Sequence, residues 1–504
     1  MKDNQLILKK NKNMEIFLFI FSIILNEVFT SKNKIYRIPF GLFKQQDKFQ
    51  EKNTNIVNNI VSNGKYVNLS LGTPPQITPF ELDSNSQTFS ASNELFNRNL
   101  SSSYKQVSTK EININFEVVE KGFNSKDILK IDNNINKEIH FIVGTRFQTQ
   151  KNNNLGVIGL RIPNLVQNYI YPFFESLKSA ELVNSFVWTL KFFDNISLFD
   201  QITYNENKNN IIGEFIFGDE PSNYENVEYK YNEKDFFKIS PLTTKGYIDW
   251  DLEFSNIYLN FREGQNNSQI NFLGEKTAEI VINFSIMLGP NYFFDFIKNN
   301  FFSQYLSESV CREKTSDYVY NHIECDYNSS FRVSSFPDIC FEHAGFETTF
   351  NLTYKDLFIA DKKTNNYIFL IMTKPYYSDW LLGSVFLRKF QFVFNQDSKT
   401  IGYYRYIPKS YEENSKENLL DKNNSKMIKS IFIIILVIIF SFLLIFFGMI
   451  IQRKYFNKNR KIRANELEEN FSYEGKNTDE NKLEVNDDKK IIKEENAKEA
   501  YFSI

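Results

Sequence analysis

The stretch Leu71-Gly-Thr-Pro-Pro-Gln-Ile-Thr-Pro-Phe-Glu-Leu-Asp-Ser-Asn-Ser86 determines how the rest of the chain is interpreted. It follows Tyr66-Val-Asn-Leu-Ser-Leu71, in which apolar and polar residues alternate as they do in a half-buried strand. Gly72 comes next, and glycine is the residue with which chains make tight turns. Near its end the stretch carries an acidic residue, Asp83, within a short polar segment. The sequence therefore predicts a strand and a turn that lead to a loop with a carboxylate.

Runs of the β type recur through most of the chain. Between Lys65 and Pro408 many short apolar runs are broken by Asn, Asp, Gly and Ser. Helical periodicity is confined to short stretches such as residues 291–299. We therefore predict a mostly β region. Typical runs are residues 140–143, 186–190, 215–217 and 257–259.

The opening stretch resembles the first half of a pepsin-like aspartic peptidase, in which G-T-P-x-Q is followed, after six residues, by D-T-G-S. The spacing from Gly72 to Asp83 fits that pattern without a gap. The resemblance implies a bilobal, mostly β fold with one active-site loop in each lobe, and a polypeptide substrate or ligand in the cleft between them. Further segments match the family's motifs in order: Leu155–Leu160, Phe215–Gly218, Ser335–Ile339, Trp380–Arg388 and Phe392–Asn395.

Aspartic peptidase chemistry needs two carboxyl groups that share one proton, because two like charges a few ångströms apart cannot both ionise. The resemblance implies that Asp83 is the carboxylate of the first lobe. Ser84 stands for the family's Thr and Ser86 for its supporting Ser. Asn85 replaces a Gly, and we expect the loop to survive because Asn tolerates unusual backbone angles.

The second motif lacks its acid. The family's V-D-T-G-T-S-L-L-x-G-P corresponds here to Ile280-Val-Ile-Asn-Phe-Ser-Ile-Met-Leu-Gly-Pro290. Counting back from the Gly-Pro pair puts Val281 at the Asp position, whereas aligning the preceding apolar pair puts Ile282 there. Both residues are aliphatic. Glu279 lies two or three positions early, so it would have to reverse its strand face or skip a whole pleat to replace the Asp.

The flap that covers the substrate in this family is also altered. Counting back from its far end puts Asn115 at the flap Tyr position, with Phe116 beside it, and Ser90 on or beside the supporting Trp. We interpret the chain as a catalytically impaired homologue that keeps the fold and the cleft. Two alternatives stay open: an active aspartic endopeptidase completed by an acid from elsewhere, and a structural surface protein.

Composition and cysteine content exclude several other classes of protein. A chain of 504 residues with three Cys is not a small disulfide-stapled module, although Cys311 and Cys325 could close a short loop. The net charge of −2 gives no basic surplus for nucleic acid. The three His show no triad or metal-ligand spacing, and the chain has no Gly-rich phosphate loop, so we expect no metal and no cofactor.

Two apolar runs predict the topology relative to a membrane. The run at residues 16–25 follows three Lys and matches a signal peptide. The run at residues 431–451 carries no charge and is long enough to span a bilayer as a helix. Basic residues follow it directly, which places that side in the cytosol. The sequence thus predicts a single-pass type I membrane protein whose peptidase-like region is luminal or extracellular.

The predicted organisation follows from these segments. Residues 1–30 are a signal peptide, and residues 31–64 are a short segment that weakly resembles a pro-segment. Residues 65–408 form the peptidase-like region, with lobes at about 65–220 and 221–408. A linker (409–430), the membrane helix (431–451) and a disordered cytosolic tail (452–504) that could bind sorting factors complete the chain. Asn-x-Ser/Thr sequons recur at Asn68, Asn99, Asn195, Asn266, Asn283, Asn328, Asn351 and Asn423.

Overall fold

The computed structural model divides the chain into two units, residues 1–406 and 407–504. In the first unit it describes residues 34–44, 56–114, 119–131, 135–147, 155–163, 171–205, 210–221, 236–241, 243–244, 247–262, 269–316, 319–327 and 329–404. In the second it describes residues 448–450, 452–454, 456–457 and 459, all of them helical. The predicted signal peptide and most of the predicted membrane helix and tail lie outside these ranges.

The first unit is built mainly from strands, as predicted. The strands are β1 (Tyr36–Lys44), β2 (Asn63–Leu71), β3 (Gln76–Asp83), β4 (Phe89–Ser92), β5 (Lys105–Gln106), β6 (Ile112–Asn113), β7 (Val119–Lys130), β8 (Asn136–Phe147), β9 (Gly156–Gly159), β10 (Val187–Phe192), β11 (Ile211–Phe217), β12 (Phe236–Ile239), β13 (Thr243–Thr244), β14 (Tyr247–Ile248), β15 (Asp251–Glu253), β16 (Asn256–Asn260), β17 (Gln269–Phe272), β18 (Thr277–Ile280), β19 (Met287–Leu288), β20 (Cys311–Thr315), β21 (Asn321–Asp326), β22 (Asp338–His343), β23 (Thr348–Leu352), β24 (Phe358–Asp361), β25 (Asn366–Phe369), β26 (Ile371–Met372), β27 (Trp380–Leu382), β28 (Phe392–Asn395) and β29 (Thr400–Tyr404).

The helices of the first unit are short and lie between strands. They are α1 (Ile56–Val61), α2 (Phe173–Ser179), α3 (Leu198–Ile202), α4 (Asn291–Ile297), α5 (Ser303–Ser307), α6 (Tyr354–Leu357) and α7 (Ser384–Leu387), with a π-helical turn at Lys298–Phe302 and 3₁₀ turns at Arg98–Leu100, Val333–Ser335 and Ala344–Phe346. Among the described residues, no helix is long and apolar enough to cross a bilayer.

One large sheet joins the two halves of the chain. Its strand order is β12-β29-β28-β10-β11-β1-β2-β3-β9-β4-β8-β7-β5, with β6 on β7. The strand β28, from the end of the unit, pairs with β10 from its first half. Residues 36–44, within the predicted pro-like segment, form β1 between β11 and β2. The remaining sheets are β13-β14, β15-β18-β27-β19-β26, β17-β16-β22-β23 and β20-β21-β25-β24.

The same strand arrangement occurs once in each half. In the first half β3 runs parallel to β9, and β4 lies between β9 and β8. In the second half β18 runs parallel to β27, and β19 lies between β27 and β26. In both halves a short loop follows the first strand (β3 or β18). It connects that strand to the one on the far side of the parallel neighbour (β4 or β19). These two loops, residues 83–88 (the first loop) and 281–286 (the second loop), define the candidate site.

Aromatic side chains pack the two halves together near these loops. Trp188 on β10 stacks on Phe394 on β28 with ring centroids 4.0 Å apart, and Trp250 meets Trp188 edge to face at 6.1 Å. The Trp250 indole N–H also donates to the backbone oxygen of Leu160, directly after β9. Buried aromatic pairs of this kind contribute beyond the area that they remove from water. The strand behind the first loop is therefore anchored to the second half of the chain.

The cysteines lie in the second half. Cys311 on β20 faces Cys325 on β21 in the strand register, and a disulfide joins them. Cys340 is a buried free thiol on β22. Burial raises the pKa of the Cys340 thiol to about 12, so it stays protonated.

Candidate active site

The first loop begins with a buried carboxylate. Asp83 is the last residue of β3, lies opposite Gly159 in the parallel register, and is 2% exposed. Its Oδ1 accepts a hydrogen bond from the backbone N–H of Asn85 at 2.9 Å. A Cβ built on Gly159 would lie 2.4 Å from the backbone carbon of Gln87. Only glycine therefore lets β9 approach the first loop this closely.

The second loop begins at the same point of its own sheet. Ile280, the last residue of β18, lies opposite Leu382, and the backbone N–H of Val281 donates to the Leu382 oxygen at 3.2 Å. The extended pairing therefore reaches Val281, which lies opposite Gly383, the residue after Leu382. A Cβ on Gly383 would lie 2.1 Å from the Ile286 oxygen. Gly383 thus has the same role beside the second loop as Gly159 has beside the first.

The register identifies the residue that corresponds to Asp83. In the first half, Asp83 lies opposite Gly159. In the second half, Ile280 lies opposite Leu382, and Gly383, the counterpart of Gly159, is the next residue. Val281, which follows Ile280, therefore takes the place of Asp83. The loop lengths agree, because Phe89 and Met287, which open the return strands, each lie six residues after that place. Of the two positions that the sequence left open, the structure selects Val281. That side chain is 5% exposed and has no ionisable group.

A hydrogen bond connects the two loops on one side only. The backbone N–H of Ile282 donates to the hydroxyl of Ser84 at 3.3 Å. Ser84 follows Asp83 as Ile282 follows Val281, so a symmetric site would have a second bond from the Ser84 N–H to a hydroxyl at position 282. Isoleucine offers no hydroxyl. Ser86, the other predicted supporting residue, accepts a hydrogen bond from the Thr88 N–H within its own loop.

Asn85 connects the first loop to an acid in β18. Its side-chain oxygen accepts from the Ser84 hydroxyl at 3.2 Å, and its side-chain amide faces the carboxyl group of Glu279 closely enough to favour the ionised form of that group. The backbone φ of Asn85 is not positive. The sequence-based reason for an Asn at this position, tolerance of unusual backbone angles, was therefore wrong, and its side-chain contacts explain it better.

The surroundings of Glu279 favour its protonated form. Burial raises the pKa of Glu279 to about 7, and the neighbouring carboxylates of Asp251 and Asp249 act in the same direction. The Asn85 amide and the Arg161 guanidinium oppose this rise. The Arg161 guanidinium also forms two hydrogen bonds with Asp249, from Nε to Oδ1 at 2.5 Å and from Nη2 to Oδ2 at 2.9 Å. At acidic pH the Glu279 carboxyl group is therefore neutral and can donate a hydrogen bond.

A lysine is buried beneath the second loop. Lys65 on β2 is 0% exposed, and its amine donates to the backbone oxygen of Phe284 at 3.2 Å. Ser384 donates to the same oxygen from its N–H and its hydroxyl, at 2.8 and 3.0 Å. Burial lowers the pKa of Lys65 to about 7, although the carboxylate of Glu81 opposes this fall. The Asn283 side chain bonds to that same Glu81 carboxylate at 3.4 Å.

The structure adds two residues that sequence reasoning did not select, and it leaves the flap undescribed. The family's motifs point to neither Glu279 nor Lys65, although each is a charged residue inside a strand pattern, which is the signal that could identify them. The predicted flap residues Asn115 and Phe116 lie outside the described residues. Ser90, at the predicted Trp position, is buried in β4. Within the described ranges, no cluster of His, Cys, Asp and Glu could hold a metal ion.

The comparison with known families agrees with this arrangement. A family model described as eukaryotic aspartyl protease matches residues 66–218 and 298–405, just over half of the chain. The matched residues include Asp83 and the parallel strands β9 and β27, whereas β18 and the second loop lie in the unmatched interval. No curated protein matches the sequence. Since the match covers the first loop and both parallel strand partners, the chain belongs to the eukaryotic aspartyl protease family.

Proposed function

We propose that this family member binds a polypeptide beside Asp83 and does not cleave it. The observation that carries the proposal is the valine at position 281, in the register place that corresponds to Asp83. Peptide hydrolysis of this type needs one carboxylate to activate water and a second, protonated carboxyl group to polarise the scissile carbonyl. An aliphatic side chain can do neither, and general acid–base catalysis is worth roughly 10²–10⁴-fold in rate.

A polypeptide is the ligand class that the family suggests. The elements that build such a site are kept: the buried Asp83, the close approach of Gly159 and Gly383, and the contact between the two loops. These features preserve the shape of the site independently of the missing acid. Binding without turnover is the function that remains when the frame is kept and one carboxyl group is lost.

We also propose that the protein is anchored in a membrane, on the grounds of sequence. The apolar run at residues 431–451 and the basic residues that follow it support a single span with a cytosolic C-terminus. Four sequon residues, Asn68, Asn99, Asn195 and Asn351, have exposed side chains and are our candidates for glycosylation. Asn283, at the second loop, is not a candidate, because its amide bonds to Glu81 and Ser285 is buried.

Purified full-length protein tests the proposal. We expect no cleavage of a peptide library between pH 3 and pH 7, and measurable binding of a statine-containing peptide, which imitates the tetrahedral state of the scissile bond. The isosteric variant Asp83→Asn is the matched control, and it should also show no turnover. Library cleavage by the wild type that is lost in Asp83→Asn would overturn the proposal.

A further inference from the structure

Glu279 extends from the strand that leads to the position of the missing acid. It lies on β18, opposite Leu381 in the parallel register and opposite Asp251 in the antiparallel one. Side chains two residues apart on a strand point to the same face, about 6.7 Å apart along the strand. Glu279 and Val281 therefore point to the same side of the strand. The Glu279 side chain leaves the backbone two residues before Val281, the position that corresponds to Asp83. A glutamate is longer than an aspartate by one methylene group, which reduces that offset.

Asn85 relates the two carboxyl groups to each other. Its backbone N–H donates to Asp83, and its side-chain amide faces Glu279, where it favours the ionised form of that carboxyl group. A single residue of the first loop therefore bonds to Asp83 and lies beside Glu279. Ile282 bonds to Ser84, and Ser84 bonds to Asn85, so hydrogen bonds run from the second loop to the first-loop residue that faces Glu279. These bonds fix the position of Asn85, and with it the polar group that Glu279 meets on the first loop.

The groups that face Glu279 differ in sign. Asp251 on the adjacent strand β15 and Asp249 just before it are acidic, and Arg161 is basic but already paired with Asp249. Tyr377 also lies close: burial raises the pKa of its phenol well above the usual value, and the charge of Glu279 acts in the same direction. Burial and the two carboxylates outweigh the opposing effects of the Asn85 amide and the Arg161 guanidinium, so the pKa of Glu279 stays raised. A neutral carboxyl group that can donate a hydrogen bond is therefore the favoured form in an acidic compartment.

We propose that Glu279 supplies the second carboxyl group for ligand binding, by donating a hydrogen bond from its protonated form to a backbone carbonyl group of a polypeptide lying beside Asp83. This inference rests on the proposed function, binding without cleavage. A protonated carboxyl group is a strong donor to a carbonyl oxygen, whereas a carboxylate only accepts hydrogen bonds and repels that oxygen. Ligand affinity should therefore be high at acidic pH and should fall as Glu279 ionises.

The test measures the affinity of the full-length protein for the statine-containing peptide between pH 5 and pH 8. For the wild type we expect affinity to fall about tenfold between pH 6 and pH 8, because ligand binding requires a group that ionises near pH 7. Glu279→Gln should keep the acid-pH affinity and lose that pH dependence, because an amide donates at every pH. Glu253→Gln, an exposed acid on β15, is the matched control and should behave as the wild type.

A neighbouring substitution tests the same assignment without altering Glu279. Asp251→Asn removes a carboxylate that raises the pKa of Glu279, so the fall in affinity should begin at lower pH. Peptide binding whose pH dependence is the same in the wild type and in Glu279→Gln would overturn the role of Glu279 and leave the proposed function intact. Absence of peptide binding at every pH, in the wild type and the variants, would overturn the proposed function itself.

Discussion

The first and second loops occupy the same frame and have different chemistry. Each follows a strand with a parallel neighbour. Each also packs against a glycine, Gly159 or Gly383, at a position where the loop backbone leaves no room for a Cβ atom. At the corresponding place the first loop has Asp83 and the second has Val281. The frame thus does not depend on the acid. Backbone pairing and close glycine contacts specify the shape of the loops, and the carboxylate is a separate feature that a chain can lose.

The surroundings of the two loops have also diverged. Asp83 receives a hydrogen bond from its own loop, whereas the second loop is apolar at Val281 and Ile282 and takes a bond from the buried Lys65. The buried amine of Lys65 donates to the backbone oxygen of Phe284 and so fixes the backbone of the second loop. The second loop thus combines an aliphatic residue at the place of Asp83 with a buried amine that bonds to its backbone.

The largest expected effect comes from removing the difference between the loops. The double variant Val281→Asp/Ile282→Thr restores a carboxyl group opposite Asp83 and a hydroxyl group opposite Ser84. We expect cleavage of a peptide library at pH 3–5 to rise about 10²-fold or more over the wild type, the usual contribution of general acid–base catalysis. Cleavage is measured as release of fluorescence from quenched peptides.

The control for that gain is the same double variant carrying Asp83→Asn, in which activity should return to the wild-type level. Burial and the neighbouring Asp83 should raise the pKa of the new carboxyl group. The stability of the double variant relative to the wild type should therefore be higher at acidic than at neutral pH. If the double variant folds, retains the Cys311–Cys325 disulfide and cleaves no better than the wild type, the two loops differ by more than these two side chains.

The comparison of the loops also shows where sequence reasoning succeeds. The family, the mostly β fold and the position of Asp83 follow from motifs whose spacing is kept, since turns and glycine contacts need particular residues at particular places. The register of the second loop could not be predicted, because Val281 and Ile282 are equally apolar. That choice depends on which residue lies opposite Gly383, a long-range pairing that local patterns do not contain.

Long-range contacts also explain the residues that sequence reasoning missed. From the sequence, Asn85 is a tolerated substitution for glycine, whereas in the structure its side chain faces Glu279, far along the chain. Lys65 looks like a polar residue in an alternating strand, yet it is fully buried because the second loop covers it. Single-sequence patterns predict the frame well and predict poorly the polar side chains that connect its two halves.

A smaller effect tests the buried amine that distinguishes the second loop. The folded-state pKa of Lys65 is about 7, below the usual 10.5, so the unfolded chain binds more protons between these pH values. Burial of the charged Lys65 amine lowers the free energy of unfolding below pH 7. This unfavourable contribution decreases as the pH rises from 7 toward 10.5. Relative to Lys65→Met, the wild type should gain on the order of 2 kcal/mol in free energy of unfolding between pH 6 and pH 9, measured by urea denaturation.

Lys276→Met is the matched control for that measurement. The Lys276 amine also donates to a backbone oxygen, that of Ser255, but at the protein surface. The stability difference between this variant and the wild type should not change over the same pH range. An equal pH dependence in both lysine variants would mean that burial beneath the second loop does not set the protonation of Lys65.

The smallest expected effect concerns the single hydrogen bond between the two loops. Ser84→Ala removes the acceptor of the Ile282 N–H and the donor to Asn85, so it should lower the free energy of unfolding by about 1 kcal/mol. Ser84→Thr keeps the hydroxyl and should match the wild type. Ser86→Ala loses the bond to the Thr88 N–H within the first loop, so at a similar cost in stability it should leave peptide affinity unchanged. Ser84→Ala should weaken that affinity at acidic pH, because Asn85, whose side chain faces Glu279, then loses its bond to Ser84. Equal peptide affinity in the two alanine variants would show that the bond between the loops does not position the ligand-binding groups.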